Sequence, residues 1–314
     1  MLKILHNPLQ SIKLISLEKY FEEMVKLYEL NSFPKVLLLK GKKGIGKFTL
    51  IFHFLNYIYT KKGKNSYNTN DKLIDINSIF YNSVLNQTCT DVIFLQAEEG
   101  KNIKIEDVRG LRSVLSSSSL SNNPRFIIID DVEFLNKNSV NALLKTLEEP
   151  SNNNYFILIN NEQEDLVETI SSRCIKINIY LNLEQRKKVV DFFIKNLKID
   201  FLIKDYNNLT PGLLLRYNDV FNRYKIDNNT NILSKINVLL YAYKKDKDKA
   251  LINMCHYFID KFFHHLVEEN RNKINYLLLL KSNINNKIND FIIYNLNIKS
   301  VLNFIELKLN NAEQ

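Results

Sequence analysis

The stretch Leu37-Leu38-Leu39-Lys40-Gly41-Lys42-Lys43-Gly44-Ile45-Gly46-Lys47-Phe48-Thr49 decides the fold of this 314-residue chain. An apolar run enters a glycine-spaced turn, and the segment Phe48 to Tyr59 that follows is helix-prone. Strand, glycine loop and helix in that order make a phosphate-binding P-loop, G-x-x-x-x-G-K-[ST]. Gly41, Gly46 and Lys47 fit the template, Gly44 adds a third glycine, and Phe48 stands where the template has a hydroxyl. That hydroxyl ligates the magnesium of a bound nucleotide, so the chain carries the loop without one of its metal ligands. Thr49 comes one residue too late, since a helix turns about 100° per residue. The alternative is a glycine turn with no ligand at all. The strand before, the helix after and Lys47 in place favour the anion cradle, in which loop amides and a helix N-terminus face a phosphate and Lys47 adds a point charge.

Working outward, further apolar runs of strand length occur at Val92–Leu95, Phe126–Ile129, Tyr155–Ile159 and Cys174–Ile179. Continuous runs of this kind fit strands buried on both faces of a parallel sheet. Between them the spacing predicts helices over Leu9–Leu30, ended before Pro34, and over Ile105–Leu115, Asn136–Glu149 and Leu166–Ser172. Residues 61–90 read as irregular or weakly helical, and Ser116–Ser119 with Asn122-Asn123-Pro124 as a turn. Strands alternating with helices give an α/β fold with a parallel sheet covered by helices on both faces. Beyond about residue 180 the pattern is helical throughout, over Asn182–Leu197, Leu213–Arg223 and several long segments from 231 onward. That part reads as a separate all-helical unit.

Composition bounds the partners only loosely. Forty-three Lys and Arg against 34 Asp and Glu give a formal charge of +9. Such a charge is compatible with a polyanion, but the lysines are dispersed and form no basic arm. No apolar run approaches the roughly 20 residues a membrane-spanning helix needs. Met1–Leu5 carries no export signature. Cys89, Cys174 and Cys255 lie too far apart for a disulfide framework or a C-x-x-C zinc pair, which points to a cytoplasmic protein with reduced thiols.

Three further features bear on chemistry. Phe126–Ile129 runs into Asp130-Asp131, the place where an NTPase delivers a carboxylate to magnesium; the alternative is an acidic pair that caps the next turn. Arg173 closes a short helix just before a strand, a position where an arginine commonly meets the helix dipole or a carboxylate. Asn160-Asn161 ends a strand and reads as turn material. The five histidines fit no metal-ligand spacing.

Together the P-loop, Ile105–Leu111, Phe126–Asp131, the run Asn141-Ala142-Leu143-Leu144-Lys145-Thr146-Leu147-Glu148-Glu149-Pro150 and Ser172-Arg173-Cys174 resemble the bacterial clamp-loader subunits of DNA polymerase III, over roughly residues 5–225. Thr210-Pro211-Gly212 falls where that family carries its second sensor region. The resemblance implies an AAA+ core over 1–178, a small helical lid over 179–226 and a helical collar over 227–314. It is similar to the delta-prime branch, whose nucleotide sites are commonly degraded while the Ser-Arg-Cys arginine is kept. Motor subunits of the gamma/tau branch keep the hydroxyl that Phe48 replaces and a glutamate where Asp131 stands.

On that resemblance the chain is a stator in a hetero-pentamer with gamma/tau and delta subunits, which loads a sliding clamp on primed DNA. Arg173 is then an arginine finger acting in trans on a neighbour's ATP. Gly41, Gly44, Gly46, Lys47, Asp130 and Asp131 line a degenerate nucleotide site with no ATPase activity of its own and no cofactor beyond weakly held nucleotide. The four-cysteine zinc module of many relatives is missing, with Cys89 alone in that interval, so no metal is expected. Two alternatives stay open: an ATP-hydrolysing motor subunit with an irregular site, and a free-standing DNA-binding regulator on an AAA+ scaffold.

Overall fold

The computed structural model describes residues 7–61, 63–96, 103–116, 123–151, 153–197, 201–227 and 229–313. Of the expected turn Ser116–Ser119 with Asn122-Asn123-Pro124, residues 117–119 and 122 lie outside them, as do the N-terminal residues 1–6. Two compact units emerge, one of Met1–Asp200 with Lys204–Leu215 and one of Phe201–Ile203 with Arg216–Gln314. The division falls inside the stretch expected as a lid.

The first unit is built on five parallel strands, β1 (Val36–Lys40), β2 (Val92–Gln96), β3 (Arg125–Asp130), β4 (Asn154–Asn160) and β5 (Ile175–Asn178), in the order β2-β3-β4-β1-β5. Each apolar run read from the sequence is one of these strands. Alternation within them sends side chains to two separate cores. Leu37, Leu39, Phe126, Ile128, Ile157 and Ile159 join one, while Val36, Leu38, Ile127, Ile129, Phe156 and Leu158 join the other. Burial on both faces is why the central strands are apolar at every position between their ends, from Val36 to Leu39, Phe126 to Ile129 and Tyr155 to Ile159.

Helices α1 (Glu18–Glu29), α2 (Lys47–Thr60) and α3 (Ile79–Leu85) cover the first face. Rings fill that core: Phe33 stacks on Phe54 at 5.0 Å and Phe126 on Tyr155 at 5.1 Å between centroids. Helices α4 (Ile105–Ser116), α5 (Lys137–Glu148) and α6 (Glu168–Ser171) cover the other face. Asn136 caps α5, its side-chain oxygen accepting from the Ser139 N–H at 2.9 Å. Helix α7 (Leu183–Leu197) follows β5.

One helix boundary departs from the sequence pattern. The expected helix Leu9–Leu30 is a single 3₁₀ turn, Pro8–Gln10, then extended chain, then α1 from Glu18. Leu14 N–H donates to Lys72 O at 3.0 Å and Ile74 N–H to Ile12 O at 2.8 Å, so residues 12–14 pair with a distant loop. Ser16 takes a left-handed backbone at φ 63° immediately before the helix. Leu14 and Leu17 are buried all the same, and that burial produced the helical period.

The second unit is all-helical. Helix α8 (Pro211–Tyr224) contributes its residues from Arg216 onward. Helices α9 (Ile232–Asp246), α10 (Lys249–Glu269), α11 (Ile274–Tyr294) and α12 (Ile298–Glu313) close on themselves, with α9 on α10, α10 on α11, α11 on α12 and α12 back on α9. Leu239, Leu240, Met254, Ile259, Ile284, Ile288 and Ile305 are buried in this unit. Among the described residues no helix is long and apolar enough to cross a membrane.

Candidate functional site: a P-loop closed by its own lysine

The carboxyl ends of β1, β3 and β4 meet at one edge of the sheet, the edge where open α/β sheets hold ligands. Register fixes who meets there: Lys40 lies opposite Asn160, and Gln96 opposite Asp130. The loop Gly41–Gly46 leaves β1 at this edge and delivers Lys47 to the first turn of α2.

The glycines are required by geometry. Gly44 has φ 83° and Gly46 φ 97°, backbone that side chains rarely adopt. A Cβ on Gly44 would also stand 2.6 Å from Thr210 Oγ1. The reason is a clasp on the outside of the loop. The Thr210 hydroxyl donates to Lys43 O at 2.7 Å and the Gly212 N–H to Gly44 O at 2.8 Å. Thr210-Pro211-Gly212 is thus bound to the loop backbone directly.

Lys47 is buried, and its ammonium donates to Gly41 O at 2.5 Å and Lys42 O at 3.0 Å. Desolvation pulls its pKa down to about 8, against nearby carboxylates, Asp130 first, that raise it. The ammonium is folded onto the loop that carries it. Phe48, half-buried, lays its ring against Phe94 of β2 at 5.4 Å between centroids. The position that would ligate magnesium instead packs against the sheet.

The acidic side of the site is equally committed. Asp131 sits in a left-handed backbone, φ 55°, and makes no side-chain cap to the 3₁₀ turn after it. Lys43 Nζ donates to both its oxygens at 3.1 and 3.2 Å. The amide of Asn161 donates to Asp131 Oδ1 at 2.7 Å and to Asp130 Oδ1 at 2.8 Å, and Gln163 Nε2 reaches Asp131 at 3.1 Å. Asp130 also accepts from the Asp131 N–H at 2.9 Å and from Gln96 Nε2 at 3.3 Å. Burial, and then the charge of Asp131, pushes Asp130 up to about 6. Glu133 accepts from the Asn161 N–H at 3.0 Å, which holds the end of β4 onto this cluster. A magnesium nucleotide needs a hydroxyl at position 48 and a carboxylate open to the metal, and these residues fit neither requirement.

Arg173 lies apart from the loop, at the end of α6. Its Nε and Nη2 donate to Glu148 Oε1 at 3.0 and 2.6 Å, and its Nη1 donates to Thr169 O at 2.9 Å. Both side chains stay partly open to solvent, 35% for Arg173 and 49% for Glu148. Within this chain the arginine therefore does what its position alone leads one to expect: it meets a carboxylate and a helix-end carbonyl.

The structure brings Gly41, Gly44, Gly46, Lys47, Asp130 and Asp131 together and sets Arg173 elsewhere. Sequence reasoning missed Lys43, Glu133, Gln163 and the bridging role of Asn161. The one available signal was a lysine inside a loop that faces a strand ending in two carboxylates. It also left Glu148 without a role, although that residue stands in a quoted motif.

Residues 16–182, more than half of the chain, match the family model described as DNA polymerase III, delta subunit. This chain belongs to that family. Among curated relatives of the family's loader, the DNA polymerase III subunit delta-prime of Buchnera aphidicola subsp. Schizaphis graminum is 26% identical, over 61% of this chain and 55% of its own. Its counterpart in Buchnera aphidicola subsp. Baizongia pistaciae is 24% identical, over 78% of this chain and 76% of its own. A DNA polymerase III subunit gamma from the Schizaphis graminum subspecies is 27% identical, over 60% of this chain and 50% of its own. The chain thus spans about half the length of two of these relatives and about three quarters of the third. The quoted motifs from the P-loop to Arg173 fall inside the matched residues.

Proposed function

We propose that this member of the DNA polymerase III delta-subunit family is a delta-prime-type clamp-loader subunit: a stator that holds no magnesium nucleotide of its own and presents Arg173 to ATP on a neighbouring motor subunit. The observation that carries it is the Lys43–Asp131 ion pair at 3.1 Å, across a loop where Phe48 stands in place of the hydroxyl. An ammonium already occupies Asp131, the carboxylate that stands where motor subunits carry a glutamate, and Lys47 is bound to its own loop. A guanidinium supplied in trans stabilises charge developing on a transferring phosphoryl group, which is a role for an exposed arginine rather than a buried one. In this reading the partners are gamma/tau-type and delta-type subunits, and through them a sliding clamp and primed DNA.

A second reading, an ATP-hydrolysing motor subunit, draws on Lys47 and on the carboxylate pair at the end of β3. The purified chain separates the two. The stator reading expects no magnesium-dependent ATP turnover and no magnesium-dependent gain in nucleotide affinity. Turnover that Lys47→Ala abolishes would establish the motor.

A further inference from the structure

Arginine has five N–H groups in one plane, and which edge is occupied decides what it can still bind. In Arg173 the side edge, Nε and Nη2, is closed by a single oxygen of Glu148, and Nη1 gives a hydrogen to Thr169 O. Three of the five are thereby used. One hydrogen on each terminal nitrogen has no acceptor among the described residues. A guanidinium with an N–H to spare on each terminal nitrogen can still grip the oxygens of a phosphate.

We infer that Glu148 is the positioning residue for Arg173: it fixes the side edge of the guanidinium and so holds the remaining N–H groups, one on each terminal nitrogen, preorganised for an anionic phosphate group on another subunit. The inference rests on the trans role of Arg173 proposed above. Its physical basis is the placement of the two partners. Glu148 is the last residue of α5 and is set by that helix, whereas Thr169 belongs to α6, so two separate elements hold one guanidinium. The carboxylate also removes rotamer freedom from a long side chain before a partner arrives, which is the entropy that a docking arginine otherwise loses on binding.

The test uses the assembled complex with ATP-hydrolysing partner subunits, compared for Glu148→Ala, Glu148→Gln, Arg173→Ala and the double variant Glu148→Ala/Arg173→Ala. Assembly is followed by mass, and kcat and KM for ATP are read separately. Glu148→Ala is expected to assemble, to keep KM and to lower kcat at the facing site by about ten- to a hundred-fold, the scale on which misplacement of a catalytic group acts. Glu148→Gln keeps the acceptor oxygen and is expected to lose less. The double variant is expected to match Arg173→Ala alone, because Glu148 acts through the arginine. Normal kcat in both Glu148 variants beside a slow Arg173→Ala overturns the positioning role and leaves the trans role standing. So does a double variant slower than Arg173→Ala. A normal rate in an assembled Arg173→Ala complex overturns the trans role itself, and the inference with it.

Discussion

Lys43 and Asp131 are 88 residues apart in sequence, yet the lysine ammonium donates to both oxygens of the carboxylate, at 3.1 and 3.2 Å. The carboxylate is nearly buried, with its side chain 6% exposed, while that of Lys43 is 38% exposed. Lys43→Met is therefore expected to destabilise the first unit by about 1–2 kcal/mol, less than a fully buried pair because solvent screens the lysine. Lys40→Met is the control. Its contact with Glu162 is 3.8 Å long between open side chains, so the change stays within about 0.5 kcal/mol. Thermal or denaturant midpoints of the two variants check the ranking.

Restoring the missing hydroxyl does not restore the site. Phe48→Thr supplies the oxygen and removes a ring packed on Phe94. The expected result is a loss of about 1–3 kcal/mol of stability and no magnesium-dependent ATP turnover by the purified chain. Asp130 remains held by Asn161 and Gln96, and Asp131 by Lys43, in that variant, so one restored ligand alone returns nothing.

The strands, the P-loop and the acidic strand end were all legible in the sequence, and for one reason. Strands such as Phe126–Ile129 are buried on both faces, so nothing but apolar residues fits, and the loop needs glycine where φ is positive. Periodicity failed at Leu9–Leu30 because it reports burial rather than conformation. Leu14 and Leu17 are buried from an extended segment that pairs with the 72–74 loop. Lys43 and Glu148 were invisible in a different way. A charged residue in a loop or at a helix end has no pattern to read, and its partner is set by how two distant elements come together.

Two buried titratable groups give the stability opposite slopes with pH. Asp130 is raised to about 6 from an ordinary 3.8, so the folded state holds its proton more tightly than the unfolded chain does. Its contribution is complete below about pH 4 and is lost as pH rises through about 6. His53 is lowered to about 4 from 6.5 by burial, between the Tyr67 hydroxyl at 2.9 Å and Ser11 O at 2.8 Å. Its contribution is complete above pH 6.5 and is lost as pH falls toward 4. Asp130→Asn removes the first slope only. It is expected to match the parent near pH 4, to exceed it by about 1–3 kcal/mol at pH 8, and to leave the acid loss of His53 uncompensated. Unfolding midpoints of the two proteins from pH 4 to 8 test this.

The clasp on the outside of the loop predicts a contrast between two glycines. Gly44→Ala meets both a left-handed backbone and Thr210 Oγ1, and is expected to destabilise by about 2 kcal/mol or more. Gly110 lies in α4 with open space around its Cβ position, so Gly110→Ala is expected to stabilise by about 0.5–1 kcal/mol. Equal effects at the two positions would mean that Thr210-Pro211-Gly212 does not rest on the loop.

The most direct measurement compares ATP turnover by the complex assembled with motor subunits when this chain carries Arg173→Ala or Lys47→Ala. Arg173→Ala is predicted to assemble normally and to slow the site facing it by about 10³-fold or more, the scale of an arginine supplied in trans, so that total turnover falls by that site's share. Lys47→Ala, which touches only a closed loop, is predicted to leave turnover unchanged. The reverse pattern, with Arg173→Ala at full rate and Lys47→Ala impaired, would contradict it and make this chain a consumer of ATP in its own right.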